Sequence, residues 1–275
     1  MLNKGKNKQL ITLGLSVHRP EMVPAISEQM RRHEAIFLEE PPDADFEPML
    51  AGRLAVDDYL ADLDMEYPAF SHDMYYLMRK LKAEGKKIFQ VEPFWEKLIS
   101  IHEFFAEGHP PQELQKNTIQ YTVYLAEKNA TRALLSYYQT VMAGSFDDTL
   151  KAIIRFARAD AARFGLRDSL RAQQIASMAG KYSSSYVEAG MMHYPLWQLL
   201  RQQVQEKDQV KMVFLANDAL KSSAPRGHLY GPGDQLTLLY IFHPEIRDTA
   251  REKVLAARSI IYSKIVAKEE MTDDG

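Results

Sequence analysis

The chain has 275 residues, with Lys+Arg 34 against Asp+Glu 37 and a formal charge of −3. That balance gives no electrostatic case for nucleic acid or an anionic membrane as partner, and 46% hydrophobic residues exclude a disordered chain. The absence of cysteine excludes disulfides, thiolate metal sites and a cysteine nucleophile. No secretory pattern opens the chain and no run approaches the ~20 apolar residues of a membrane span, so a cytoplasmic location is expected.

The predicted elements, in chain order, begin with a buried strand at 10–17 (LITLGLSV). A helix over 20–32 follows, with Pro20 suited to its first turn, and then a strand at 35–39 (AIFLE). A helix over 70–84 ends at Gly85, a natural C-cap, before a strand at 87–91 (KIFQV). From Pro93 to Gly180 no strand is evident. A helical stretch over 111–143 is expected to break near Asn117 or Asn129, and an amphipathic helix over 147–164 to end at Gly165. A strand at 185–189 (SYVEA), a helix over 195–205 and a strand at 212–215 (MVFL) complete a second alternating section. The segment 245–268 reads as a helix with Ile246, Ala250, Val254, Ala257, Ile261 and Ile265 on one inward stripe, followed by an acidic, frayed tail.

The strands are short apolar runs without polar alternation, the pattern of a parallel sheet covered on both faces. An α/β fold is therefore expected, with a central, mostly parallel sheet. The whole chain, 1–275, reads as one domain with a helical insertion or lid at about 94–180.

One internal repeat stands out. LSVHRPEMV is matched by GMMHYPLWQ, so that His18 aligns with His193 and Pro20 with Pro195. Phe37-Leu38 then aligns with Phe214-Leu215. Each copy reads as strand, histidine on a turn, proline-led helix and strand, which suggests two related halves. In parallel sheets ligands bind beyond the carboxyl ends of the strands. There the chain offers His18 and His193, with Glu39 and Glu40 after one strand and Glu92 after another. A histidine before a helix N-terminus favours the neutral imidazole that a base or a metal ligand requires. The remaining histidines, at 33, 72, 102, 109, 228 and 243, read as surface or satisfied core groups.

Gly190-Met191-Met192-His193, a G-x-x-H motif between strand and helix, together with the second histidine turn and a strand-ending glutamate, resembles the TraB/TIKI family. That family belongs to a broader group with the erythromycin esterase-like and ChaN-like haem-binding proteins. The resemblance spans roughly 10–94 and 165–215. Leu15 stands where the family has a glycine before the first histidine. Arg167-Asp168, with Arg171-Ala172, is similar to a stretch of the esterase-like branch.

The resemblance implies a hydrolase, either a metal-dependent peptidase or an esterase, acting on a peptide or other small-molecule substrate. His18, Glu39 and His193 would hold a divalent metal (Zn, Mn, Co or Fe), or a histidine or a glutamate would act as general base without one. The strand-ending acid is Glu39 or Glu40, Glu92 would orient a histidine or serve as a second carboxylate, and Arg167 would bind an anionic group or stabilise an oxyanion. The alternative is a non-enzymatic binder of haem or another small molecule, or a member whose site has decayed.

Overall fold

The computed structural model describes residues 9–205, 208–217 and 230–266. The acidic tail and His228 lie outside them. The described residues divide into two compact units: 9–92, 171–205 and 208–217 form the first, and 93–170 with 230–266 the second.

The first unit is built on a five-stranded, all-parallel sheet of order β3-β2-β4-β1-β5. Its strands are β1 (Leu10–Ser16), β2 (Ala35–Leu38), β3 (Lys87–Gln90), β4 (Ser184–Gly190) and β5 (Gln209–Phe214). All five expected strands are present, with shifted ends. The central pair, β1 and β4, is buried along nearly its whole length, which is why it reads as apolar without alternation.

The two halves are interleaved. The chain passes from β1 to β2 across β4, and from β4 to β5 across β1. These crossovers run in opposite directions, and right-handed crossovers then leave on opposite faces of the sheet. The junction of β1 and β4 is thus a topological switch point, the place where a parallel sheet opens a crevice at its carboxyl end.

After β1, Pro20–Met22 forms a 3-10 turn and α1 begins only at Val23, running to Arg31. Then come α2 (Phe46–Leu50), α3 (Val56–Ala61) and α4 (Pro68–Ala83). Residues of α1 to α4, Ile26, Met30, Met49, Tyr59, Met78 and Leu81 among them, pack with Ile36, Leu38 and Tyr186 of the sheet in one core. Gly85 takes φ +90, and the Lys86 amide reaches back to the Leu81 carbonyl, so the expected glycine cap is realised.

Under this core, His33 is buried between two partners. Its Nδ1 donates to the Gln29 carbonyl at 2.8 Å, so Nε2, also at 2.8 Å, accepts from the Thr12 hydroxyl. This is a satisfied core histidine. Burial, helped by Lys86 and Arg32, holds its pKa below the ordinary 6.5 despite the Gln29 bond. His33→Ala strands the Thr12 hydroxyl and should cost about 1–3 kcal/mol in chemical denaturation at neutral pH. Because the folded pKa is lowered, the neutral ring's contribution is present above pH ~6.5 and lost as pH falls through the folded value. The gap between wild type and variant should therefore narrow on acidification; a gap that widens would contradict the neutral tautomer.

The second unit is helical. It contains α5 (Pro93–Ala106), α6 (Ile119–Ala143), most of α7 (Phe146–Ala179), α9 (Pro232–Phe242) and α10 (Ala250–Ile265), while α8 (Leu196–Gln203) belongs to the sheet unit. Of the two expected breaks, the one at Asn117 occurs, with φ +64, whereas α6 runs through Asn129. The predicted stop at Gly165 does not occur: α7 continues for another fourteen residues, since a mid-helix glycine costs only ~1 kcal/mol and long-range packing outweighs it.

The expected stripe of α10 is corrected too. Val254, Ile261 and Ile265 are exposed, and Leu255, Ala256 and Ile260 face the core instead. A buried Glu252 sets the rotation: it accepts from Tyr240, pairs with Arg158, and closes a capping box with Thr249. A charge so placed must keep its partners, and periodicity alone does not reveal them. No helix among the described residues is long and apolar enough to cross a membrane.

Candidate functional site

The site lies in the first unit, at the carboxyl ends of β1, β2 and β4. His18 sits on the bend two residues past β1, Glu39 directly follows β2, and His193 closes a 3-10 turn after β4. Glu188 comes from β4 itself, opposite Gly14 of β1. Glu188 is held by strand register, and the other three lie within three residues of a strand end.

Glu39 is the hub. Its Oε1 accepts from His193 Nε2 at 2.7 Å and its Oε2 from the Gly190 amide at 2.7 Å. Arg171 Nη1 lies 3.5 Å from the same Oε2. The Glu39 amide donates to Glu188 Oε2 at 3.2 Å, so the two acidic residues are locked together through the backbone. Gly190 leaves the near side of this group clear, since a Cβ there would already stand 3.4 Å from the His18 ring.

Arg171 is fully buried. Its Nε donates to the Val91 carbonyl at 3.0 Å and its Nη2 to the Glu188 carbonyl at 2.6 Å. One guanidinium thus ties the ends of β3 and β4 and sets a positive charge beside Glu39. The rigid fork of arginine suits this three-way role, and lysine does not.

His18 stacks on Phe70, centroids 5.0 Å apart, with Tyr67 edge-on at 5.2 Å. Its Nε2 is 3.5 Å from Glu188 Oε1. Burial works against charging the ring, but Glu188 and then Glu39 outweigh it and hold its pKa above the ordinary value. The field at this point therefore favours positive charge, carried by a proton or by a metal ion.

Glu40 turns to a separate cluster. Its Oε2 accepts from Tyr75 at 2.6 Å and from Gln90 at 3.2 Å, and burial pushes its pKa up to about 7 against both bonds. Of the two glutamates after β2, Glu39 meets His193 and lies with His18, whereas Glu40 meets Tyr75 and Gln90. Glu92 is fully buried just past β3. Arg167 belongs to the helical unit, and Arg171, one turn further along the same helix, supplies the guanidinium seen here.

His18, Glu39 and Glu188 each offer one ligand atom, all within 4.8 Å of one another. Among the described residues they are the group with metal-binding spacing, and His193 stands behind Glu39. A nitrogen and two carboxylate oxygens fit Zn, Mn, Co or Fe. In this group His18 Nε2 and Glu188 Oε1 are buried without a hydrogen bond and lie 3.5 Å apart. Sequence reasoning missed Glu188 and the role of Arg171. The signal for Glu188 was present: an acid inside SYVEA, a strand otherwise fit for full burial, is costly unless paired.

An uncharacterized protein of Archaeoglobus fulgidus is 25% identical to this chain over 256 residues, 93% of this chain and 83% of the relative. No family model matches the chain. No solved structure matches it.

Proposed function

We propose that the chain is a hydrolase of peptide or ester bonds, similar to the TraB/TIKI and erythromycin esterase-like proteins, that works with a divalent metal. The observation that carries this reading is the convergence of His18, Glu39 and Glu188 at the switch point of a parallel sheet, with donor atoms within 4.8 Å. These three residues would hold the ion. Bound there, it supplies a Lewis acid and lowers the pKa of water towards ~7 in the case of zinc.

The chain's own groups prepare the place. His193 and the Gly190 amide orient Glu39, the outer support that ligating carboxylates need. Arg171 sets a positive charge beside Glu39 and offsets part of the negative charge gathered there. Phe70 and Tyr67 fix the His18 ring and limit bulk water around it.

Purified protein should take up about one Zn, Mn or Co ion per chain in calorimetric titration, and Glu39→Gln should abolish uptake. Hydrolysis in a broad ester and peptide screen should stop with chelator and return with added metal. Hydrolysis that survives full chelation would sink the metal and leave His18 as general base. The absence of both uptake and hydrolysis would sink the reading itself.

A further inference from the structure

Tyr186 stands in the middle of β4 and is fully buried, yet its hydroxyl makes no hydrogen bond to the protein. A buried hydroxyl without a partner lowers folding stability, and phenylalanine would fill the same space without that cost. The surroundings are cut to seat it. The phenol oxygen lies over Gly14 of β1, where a Cβ would meet it at 1.9 Å. A glycine weakens a central strand, so both strands give up stability to place this one oxygen.

Gly14 is the register partner of Glu188, and Ser16 that of Gly190. Side chains alternate along a strand, so Gly14, Ser16, Tyr186 and Glu188 share one face of the sheet. With neighbouring strands ~4.8 Å apart, the phenol oxygen lies beside the Glu188 side chain and next along β1 from Ser16.

Three more polar atoms here are buried without a hydrogen bond: Ser16 Oγ, Glu188 Oε1 and His18 Nε2. The last two are 3.5 Å apart. The group comprises two hydroxyls, a carboxylate oxygen that only accepts and a ring nitrogen. A buried water makes two to four such bonds, and in the metal-free chain its O–H is the donor that Glu188 Oε1 lacks.

We infer that Tyr186 and Ser16, with Glu188, bind the water that the proposed hydrolysis consumes. The inference rests on the hydrolase reading for what that water does, and on the strand geometry for where it is held. Tyr186 then touches the reacting oxygen and sets its direction of attack, and the unpaired phenol is retained for that use.

A crystal structure of the metal-free full chain, at a resolution that shows ordered solvent, should contain a water within hydrogen-bond distance of Tyr186 Oη and Glu188 Oε1. A direct Tyr186–Glu188 hydrogen bond, or no density between them, would overturn the inference. Tyr186→Phe should unfold at the wild-type temperature or above it. Its kcat should fall ~100-fold, as on loss of one placed hydrogen-bond donor, with KM little changed. A lowered melting temperature with full kcat would make the hydroxyl a packing group and refute the assignment. Ser16→Ala should reduce kcat in the same sense. The two readings fail separately. A bound water in a protein that hydrolyses nothing removes the hydrolase and keeps the site, whereas hydrolysis with no water at Tyr186 does the reverse.

Discussion

Arg171→Met should remove a large part of the folding stability, about 3–5 kcal/mol by equilibrium denaturation. Methionine fills the volume, so the loss is chiefly electrostatic. The Val91 and Glu188 carbonyls lose their donor, and Glu39 keeps a buried negative charge without the nearby guanidinium. Domains of this kind have only ~5–15 kcal/mol in total, so a visibly lowered midpoint is expected. Arg171→Lys should fall between: it keeps the charge but cannot serve two carbonyls and a carboxylate from one planar fork. A change below ~1 kcal/mol for methionine would mean that the guanidinium is not the tie described here. Glu39 stands in the same network, so the effects of Glu39→Gln and Arg171→Met should not add.

Glu188→Gln should act on chemistry and leave the fold in place. The amide keeps an oxygen to accept from the Glu39 N–H, now made through Oε2, and keeps the volume beside Gly14. What it removes is the negative charge 3.5 Å from His18 Nε2. On the hydrolase reading, turnover should fall ~10²–10⁴-fold, the range for a group that handles a proton or holds the activating ion. His18→Ala should fall as far, and the double variant little further, because groups that serve one step are strongly non-additive. The measurement is kcat for the three variants, beside their melting curves. Independent, multiplying losses would separate the two residues and break the site into unrelated parts.

Much of the architecture was readable from local pattern. Apolar runs such as LITLGLSV and AIFLE can be satisfied only with both faces covered, and the sheet is parallel for that reason. The repeat around His18 and His193 pointed to two halves and to the strand ends where both histidines lie. The helical unit was read less well. Gly165 and Asn129 look like stops, but α7 and α6 run through them because a small local penalty yields to tertiary packing. In α10 the apolar stripe lost to the placement of one buried glutamate.

The candidate site divides along the same line. Residue type and position relative to a predicted strand end singled out His18, Glu39 or Glu40, and His193, and the structure brings His18, Glu39 and His193 together. Which glutamate faces the histidines was not legible in this way, because adjacent residues at a strand end point in opposite directions and only the packed structure fixes which way each turns. Glu188 and Tyr186 lie inside a strand, and Arg171 inside a helix, where motifs give no warning. They reach the centre only because β4 is set between β1 and β2, bringing residues some 150 positions apart to within hydrogen-bond distance. Local periodicity encodes which face of an element is buried. Strand order and register, which assemble His18, Glu39 and Glu188 into one charged group, exist only once the sheet has formed.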